Sequence, residues 1–363
     1  MKHKFLLFLS IFVLSGFVAC KKDHDTTPQE QKTVGMYVQF EGVSGQKNSG
    51  IAWYNFETNQ SDPNYFKTVN GYDLGETASD LELYGSKLYC VISGTQGAKE
   101  SYVEVINPTT GKSIKRISFN GETSGYLPRA IAFAGSKAYV SAYDGKIRRI
   151  DTASLTIDDN ELEAGGAMEG IAIAHNKIYV ANSQHFLYPD ATSKNTISVI
   201  DIPSFKKVKE ISVVANPQKV VATETGSILV VSWGNYADIQ PAWQSINPAT
   251  DEVTATYSDN IASIATNGTL GYVVTDLYST PSIKSLNLTS NQIAGNFITD
   301  NTAVGMPYGL SINPLNGDVF IGDAISYTST KGEALCFSST GKLSVKFETG
   351  ANPSHAVFIH AYK

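Results

Sequence analysis

A pattern of short strands recurs seven times along the chain and constrains the fold more than any other feature. In each repeat an apolar strand ends in Asn, Asp or Ser and turn residues follow. These seven positions are Asn55, Asn107, Asp151, Asp201, Asn247, Asn287 and Ser338. A second series is spaced by 52, 50, 40, 50, 43 and 48 residues and consists of Tyr37, Tyr89, Tyr139, Tyr179, Leu229, Tyr272 and Phe320. Four strands per unit at this period predict an all-β, seven-bladed β-propeller.

The strands of each repeat are named a to d, from the propeller axis outward. The clearest repeat begins at Pro128, and its apolar residues alternate with a period of two, which is typical of strands. The first repeat, from Val34, lacks strand a, and a matching strand stands at 353–359. We therefore predict that the C-terminal strand completes blade 1 and closes the ring, which removes open sheet edges. The predicted propeller domain spans 34–363.

The N-terminal segment is predicted to be a targeting signal. Residues 1–19 have a basic start and an apolar run too short to cross a membrane comfortably, which is typical of a signal peptide. Cys20 then follows Ala19, as at a bacterial lipoprotein cleavage site, so Cys20 is the predicted lipid-modified N-terminus. The alternative is an ordinary signal peptide with an incidental cysteine. Residues 20–33 are polar and without apolar periodicity, and they are predicted to form a flexible tether.

Composition excludes some functions and some stabilising devices. The formal charge is −6, and removal of Lys2 and Lys4 with the signal peptide leaves −8, so the chain is a poor candidate for binding nucleic acid. Beyond Cys20 there are two cysteines, Cys90 and Cys336, which lie in different, non-adjacent repeats. We expect no disulfide between them, and stability must come from a buried core.

The connections between strands b and c are the predicted ligand-binding region. They are long, varied and rich in aromatic residues, and in a propeller they share one face with the connections from d to a. Some of these rings are expected to pack between blades instead. The candidate contact residues in these connections are Tyr143, Trp233, Tyr236, Trp243, Tyr278 and Tyr327.

A polar ring is predicted at the floor of the same face. The residue that opens each strand a should point to the axis there, and the repeats align at Ser79, Arg129, Glu169, Gln218, Ala262, Tyr308 and Ser354. Asp80, Lys219 and His355 are next to them in sequence. Such a ring could orient a ligand through hydrogen bonds, or it could be a solvated channel mouth. We take Arg129, Glu169, Tyr308 and His355 as candidate ligand contacts.

Signals for catalysis, metals and cofactors are weak. The chain has no G-x-S-x-G, H-E-x-x-H, P-loop or EF-hand pattern. His355 and His360 are five residues apart on one predicted strand, so they point to opposite faces and cannot share a metal ion. The Asn, Asp and Ser series is interpreted as turn-forming. We predict a protein that is not an enzyme, with no cofactor and no catalytic or metal-binding residue identified.

The last repeat resembles a known family. The motifs P-Y-G-L-S-I-N-P-L-N-G-D-V-F-I-G-D-A-I-S-Y and G-E-A-L-C-F-S-S-T-G-K-L are similar to those of YncE-like seven-bladed propeller lipoproteins. That family includes the BtuG surface lipoproteins of gut bacteria, which capture cobalamin and pass it to a TonB-dependent transporter. The resemblance implies an outer-membrane lipoprotein, facing the cell exterior, that captures a nutrient and docks on such a transporter. By the same resemblance, Asp323, Tyr327 and the segment from Trp233 to Trp243 are candidate contacts.

Four functions are compatible with these observations, and one of them is a pure assembly module. The first is a non-enzymatic lipoprotein that binds a small nutrient, such as a corrinoid, on its loop face. The second is glycan binding, in which aromatic side chains stack on sugars. The third is a propeller lyase or hydrolase, for which Arg129, Glu169 and His355 are loose candidates.

Overall fold

Seven antiparallel sheets form a ring in the computed structural model, which describes residues 30–185, 194–277, 279–326 and 328–362. The predicted all-β, seven-bladed β-propeller is confirmed. Within each sheet the strands follow one another in chain order, apart from the one that closes the ring. Short connections between sequence neighbours explain this order, because each strand pairs with the next as soon as the chain turns back.

The blades are numbered in chain order. Blade 1 contains β1 (Gln31–Phe40), β2 (Gly50–Asn55) and β3 (Gln60–Asp62), and the short helix α1 (Tyr65–Asn70) follows it. Blade 2 contains β4 (Ala78–Tyr84), β5 (Lys87–Ile92), β6 (Tyr102–Ile106) and β7 (Ser113–Ser118). Blade 3 contains β8 (Pro128–Ala134), β9 (Lys137–Ala142), β10 (Lys146–Asp151), β11 (Thr156–Ile157) and β12 (Leu162–Glu163). Blade 4 contains β13 (Met168–Ala174), β14 (Lys177–Asn182), β15 (Thr196–Asp201) and β16 (Lys206–Ser212).

The remaining blades repeat the same plan. Blade 5 contains β17 (Pro217–Ala222), β18 (Ile228–Ser232), β19 (Ala242–Asn247) and β20 (Glu252–Tyr257). Blade 6 contains β21 (Ile261–Asn267), β22 (Leu270–Thr275), β23 (Ser282–Asn287) and β24 (Gln292–Asn296). Blade 7 contains β25 (Pro307–Ile312), β26 (Val319–Asp323), β27 (Lys331–Phe337) and β28 (Leu343–Gly350). The last strand, β29 (Pro353–Tyr362), belongs to blade 1.

The ring closes as predicted, because β29 pairs with β1 and supplies the innermost strand of blade 1. The pairing extends from Phe40 opposite Pro353 to Gln31 opposite Tyr362. Strand β1 therefore begins three residues before the predicted start of the propeller at Val34. Residues 31–33 are polar and show no apolar alternation, but their backbone groups complete the ladder with the end of β29.

The recurring Asn, Asp and Ser residues form the turns between the third and fourth strands, as predicted. The Asn107 side chain accepts hydrogen bonds from the backbone N–H groups of Thr109 and Thr110 at 2.9 and 3.1 Å. Asn55, Asp151 and Asn287 accept equivalent pairs of bonds, Asp201 and Asn247 accept one each, and the hydroxyl of Ser338 accepts one from Lys342. The shared requirement is a short side chain with an acceptor oxygen.

The core lies between blades, and the second series of repeated residues fills it. All seven members of that series are buried on the second strand of their blades. Two of the tyrosines also join neighbouring blades, because the Tyr37 hydroxyl donates to the Pro108 carbonyl at 3.0 Å and the Tyr179 hydroxyl donates to Asp251 at 2.5 Å. Cys90 and Cys336 are buried free thiols, which confirms that they form no disulfide.

Two features were not predicted from the sequence: a divided outer strand in blade 3 and a short helix after blade 1. The outer strand of blade 3 is divided into β11 and β12, which both pair with β10. The residues between them include Asp158 and Glu161, whose carboxylates form ion pairs with Arg149 and Arg148 on β10. The helix α1 is the second feature and ends at Gly71 in the left-handed conformation. Across the described ranges, no helix has the length and apolar character needed to cross a bilayer.

Candidate functional site

A β-bulge at the start of every innermost strand builds the predicted polar ring. In each blade the register between the first and second strands shifts at the second residue of the first strand, so at least one residue is left unpaired. Bulges of this kind redirect a side chain. The unpaired positions include Ser79, Arg129, Glu169, Gln218, Ala262, Tyr308 and Ser354, which are the seven residues of the predicted ring. All seven line the central channel or its mouth.

A second set of side chains surrounds this ring and comes from the residue that follows each second strand. The strand pairing makes Glu41, Tyr143 and Trp233 equivalent positions, since Phe40, Ala142 and Ser232 each pair with the proline that opens the innermost strand. The two sets enclose a mouth cavity of about 710 Å³. Trp233, Arg129 and Tyr236 line this same cavity, so the expected gathering of aromatic connections at one end of the channel is found.

Arg129 is the centre of a charged network in the mouth. Its Nε donates to Glu169 at 3.0 Å, and its Nη1 donates to the Ser93 hydroxyl at 3.2 Å. The Tyr143 hydroxyl donates to the other carboxylate oxygen of Glu169, and the guanidinium lies 4.9 Å from the centre of the Tyr143 ring. Burial lowers the pKa of Arg129, but interactions with Glu169, Tyr143 and Glu41 outweigh burial and raise it. The guanidinium is therefore fixed in place and permanently charged.

Glu41 faces this network from blade 1. The Tyr308 hydroxyl donates to the Glu41 carboxylate at 2.8 Å. Burial raises the pKa of Glu41, while Arg129, Tyr308 and Lys219 partly offset that effect. Lys219 is exposed in the channel and lines both the mouth and the deeper part. The floor of the mouth thus presents two carboxylates and two basic groups around one opening.

An amide and hydroxyl network occupies the opposite side of the mouth. Gln218 donates to the Ser183 hydroxyl at 2.6 Å and to the Asn216 side chain at 2.7 Å. The Asn216 amide in turn donates to the Tyr236 hydroxyl at 3.2 Å. Tyr236 is 70% exposed and has a positive φ of 58°, in a turn where the Asn235 side chain accepts two backbone hydrogen bonds. An exposed ring is thereby held in a fixed position at the rim.

Two further aromatic groups line the rim. The Trp233 indole N–H donates to the Ala262 carbonyl at 3.3 Å, which fixes the ring beside the sixth blade. The His185 ring lies 4.3 Å from the Tyr143 ring, centre to centre, and burial lowers the pKa of His185. His185 is in the connection that runs toward residues 186–193, and these residues lie outside the described ranges.

Two predicted contacts are not at the mouth. Trp243 is fully buried, and its ring stacks on Tyr257 at 4.0 Å in the core between blades 5 and 6, so the prediction that it contacts ligand is corrected. Asp323 is also buried, and its carboxylate accepts backbone N–H groups of Gly305, Met306 and Ile325 at 2.7 to 2.8 Å. Asp323 therefore holds the entry to blade 7 in place. Trp243 is the second residue of β19 and Asp323 is the last residue of β26, and both strands are buried over almost their whole length.

His355 is placed in the channel below the mouth, where it lines a second cavity of about 740 Å³. It does not line the mouth cavity with Arg129 and Trp233. His360, on the same strand, approaches Asn313 of blade 7 at 2.9 Å, so the expectation that the two histidines point to different sides holds. Three predicted residues, Cys20, Tyr278 and Tyr327, lie outside the described ranges.

Glu41 is a residue of the mouth that the sequence patterns did not indicate. It follows the last residue of β1, and its equivalence to Tyr143 and Trp233 would have revealed it once blade 1 was aligned with the others. His185 belongs to a connection that was predicted to lie on this face, and it lines the mouth. Chemically, the mouth offers fixed hydrogen-bond donors and acceptors, paired charges and aromatic faces, which is the composition of small-molecule sites.

Comparisons with other proteins extend these observations. A profile described as "Domain of unknown function (DUF5074)" matches residues 34–358. No curated protein matches the chain. Among solved structures, hydrazine synthase of Kuenenia stuttgartiensis is similar with a TM-score of 0.58 and 17% identity, over 74% of this chain and 85% of that one. The computationally designed Ika8 protein is similar with a TM-score of 0.53 and 13% identity, over 90% and 96% of the two chains. At these identities the likeness concerns the fold alone.

Proposed function

The chain belongs to the DUF5074 family, whose function is unknown, and from that premise we propose that it captures a small-molecule ligand in the mouth cavity without transforming it. One observation carries the proposal. The exposed Tyr236 ring and the Trp233 ring stand at the rim of the cavity, above a floor of hydrogen-bonding groups that includes Arg129 and Glu169. Rigid aromatic rings give a large contact area at a small entropy loss, and the floor supplies orientation.

Binding explains the floor better than catalysis does. The charged groups of the floor are engaged with one another, since Arg129 pairs with Glu169 and Glu41 accepts from Tyr308. A general base needs a carboxylate or imidazole that can reach the substrate proton while it is free to change its protonation state. Both carboxylate oxygens of Glu169 accept hydrogen bonds, one from Arg129 and one from Tyr143, so each oxygen is already engaged with the protein. This network favours recognition of a polar ligand edge.

A corrinoid is the first ligand we propose. The resemblance to YncE-like and BtuG lipoproteins points to it, and a wide, partly flat ring with amide arms suits an aromatic rim around a polar floor. In the same proposal Cys20 carries a lipid anchor at the outer membrane, and the ligand passes to a TonB-dependent transporter. Fractionation of cells that produce the natural chain or a Cys20→Ala variant tests the anchor, because only the natural chain should partition with membranes.

The binding experiment is calorimetric titration of the full chain with cyanocobalamin and, in parallel, with a panel of glycans. We expect heat with the corrinoid, and Tyr236→Ala should weaken binding about two- to tenfold because one aromatic contact contributes about 0.5–1.5 kcal/mol. Tyr362→Ala is the matched control, since Tyr362 is also an exposed tyrosine but lies at the end of β29.

The outcomes separate the candidate ligands. Heat with a glycan alone, also weakened by Tyr236→Ala, would replace the corrinoid by a saccharide and leave the binding role intact. Glu169→Gln should weaken either ligand, because it removes the charge that fixes Arg129. If no corrinoid or glycan binds, or if Tyr236→Ala and Tyr362→Ala have equal effects, the mouth is not the binding site and the proposal is overturned.

A further inference from the structure

Below the mouth, three side chains with metal-binding atoms meet on the channel wall between blades 1 and 2. Asp80 and Glu82 are two residues apart on β4 and therefore share its channel face, and His355 projects from the neighbouring strand β29. One ligand atom from each residue lies within 4.8 Å of the other two. His355 Nδ1 lies 3.8 Å from Asp80 and His355 Nε2 lies 3.9 Å from Glu82, so the two distances start from different nitrogens of the ring.

These distances are too long for hydrogen bonds. One imidazole gives one nitrogen to a given ion, so the spacing that bears on a shared ion is the 4.8 Å limit that holds for one atom from each residue. Two atoms that each lie about 2.1 Å from a tetrahedral Zn²⁺ are separated by about 3.4 Å. The ligand atoms would therefore need to approach one another by up to about 1.4 Å to share one ion. The side chains of Glu82 and His355 are 41% and 32% exposed to the channel, so they have room to rotate toward an ion.

The hydrogen bonds around Asp80, Glu82 and His355 leave atoms of all three side chains able to bind an ion. Within the described ranges, the side chains of Glu82 and His355 make no hydrogen bond of 3.5 Å or less, and the approaches of His355 to Asp80 and Glu82 are 3.8 Å or more. Asp80 is anchored, because its carboxylate accepts the backbone N–H of Ile131 from blade 3 at 2.9 Å and that of Leu81 at 2.9 Å. Each carboxylate oxygen has a second lone pair, so the anchored Asp80 still has acceptor capacity toward the channel. One fixed and two adjustable ligands are thus present.

The charge state of the group also suits a cation. The channel walls shield Glu82 from bulk water and the Asp80 carboxylate lies nearby, and both effects raise the pKa of Glu82. His355 brings an imidazole nitrogen to the same point, and neutral imidazole is a common metal ligand. Two adjacent carboxylates repel each other, and a bound cation would relieve that repulsion. Lys219 is the positive group that acts on His355 from across the channel, and it opposes cation binding.

We propose that Asp80, Glu82 and His355 bind one divalent transition-metal ion of the Zn²⁺ type in the central channel, with water at the remaining positions. Imidazole nitrogen with carboxylate oxygen is a borderline ligand set, which favours such ions over Ca²⁺ or Mg²⁺. Three protein ligands leave one position open, and here that position faces the channel. The site is separate from the mouth and does not depend on the function proposed for it.

The test is Zn²⁺ binding to the full chain after removal of metals with a chelator, measured by competition with a chromophoric indicator. We expect one tight Zn²⁺ per chain. Glu82→Gln and His355→Gln should each weaken binding at least about tenfold, since loss of even an outer-shell partner of a metal ligand costs about that much. Lys219→Gln should tighten binding, because it removes the opposing charge.

Two control variants test whether histidines outside the proposed site contribute to Zn²⁺ binding. His175→Gln removes an exposed histidine at a turn, and His24→Gln removes the histidine that lies beside two aspartates in the N-terminal segment. Both should bind Zn²⁺ as the natural chain does. Tyr236→Ala should also leave Zn²⁺ binding unchanged, so failure of the mouth proposal and failure of this one can be told apart.

Co²⁺ provides a second measurement that does not depend on affinity alone. Bound at this site, it should give a visible absorption spectrum that Glu82→Gln and His355→Gln alter or abolish, with circular dichroism showing that both variants are folded. Equal Zn²⁺ affinity in the natural chain and both variants would show that the ion binds elsewhere. Absence of any stoichiometric binding would show that the three residues do not hold an ion. Either result would overturn the proposal.

Discussion

At the scale of single residues, the turns of this propeller depend on short polar side chains that each provide one acceptor oxygen. The turn positions accept Asn, Asp or Ser because each provides an acceptor oxygen for the backbone a few residues ahead. At Asp151, backbone hydrogen bonds from Ser154 and Ala153 lower the pKa to about 2. These hydrogen bonds hold the turn between the third and fourth strands, so the recurring acids have a structural role that explains them without a metal ion.

A prediction at this scale concerns His360. Its Nε2 lies 2.9 Å from the Asn313 side-chain oxygen, and burial lowers its pKa below the usual 6.5. The folded protein binds this proton less readily than the unfolded chain, so stability is complete above about pH 6.5 and falls as the pH drops through 6.5 toward the folded pKa. His360→Gln keeps a donor for Asn313 but does not titrate. The decrease in Tm from about pH 7.5 to about pH 5.5 should therefore be smaller in His360→Gln.

The comparison isolates one group, because His185 and His355, whose pKa values burial also lowers, are present in both proteins. Parallel Tm curves for the natural chain and His360→Gln over this pH range would show that His360 does not lose stability through protonation.

At the scale of strands, the close approach of neighbouring blades depends on glycine at particular places. A Cβ atom at Gly322 on β26 would lie 1.9 Å from the carbonyl oxygen of Pro353 on β29. This contact is at the junction between blade 7 and blade 1, where the last strand enters the ring. The neighbour is backbone, so it cannot rotate away as a side chain could. The absence of a side chain at Gly322 is thus a condition for closure.

We predict that Gly322→Ala lowers the free energy of unfolding by about 1–3 kcal/mol, because the two blades must separate to admit the methyl group. Denaturant unfolding followed by circular dichroism measures the effect. Gly295→Ala on β24 is the matched control, since a Cβ atom added there would have no atom within 4 Å. Its effect should stay within about 0.5 kcal/mol. Equal midpoints for the two variants would mean that the junction tolerates expansion.

At the scale of the whole molecule, stability depends on closure of the ring of blades. The innermost strand of blade 1 comes from the opposite end of the chain to its other three strands, so blade 1 is incomplete until β29 pairs with β1. Each blade presents apolar surface to two neighbours, and an open ring would leave two such surfaces and a strand edge in water.

Removal of residues 353–363 should therefore prevent formation of a stable monomer. We expect the shortened chain to aggregate, or to lose its sharp thermal transition, when size-exclusion chromatography and circular dichroism are compared with those of a chain that lacks only Lys363. A monomeric product with an unchanged Tm would show that six complete blades and the remainder of blade 1 are stable without closure.

Much of the fold and part of the site could be predicted from residue patterns. Three sets of residues recur from blade to blade: the turn residues, the buried tyrosines and the ring at 79, 129, 169, 218, 262, 308 and 354. The recurrence is visible in a single sequence because every blade has the same strand order and packs against its neighbours in the same way. The prediction for Trp243 was wrong because an aromatic residue at the edge of a loop and one at the start of a strand look alike in sequence. Only the strand pairing showed that its ring faces the core.

Residue patterns are sufficient to predict seven blades, the completion of blade 1 by the C-terminal strand and the face on which the aromatic connections gather. Which side chains meet across the channel depends on the three-dimensional arrangement of the blades. Asp80 and Glu82 stand on the second blade, and His355 is near the other end of the chain, so their proximity exists only because the ring closes. Local patterns report contacts between near neighbours in sequence, whereas contacts across a closed ring depend on where every intervening blade is placed.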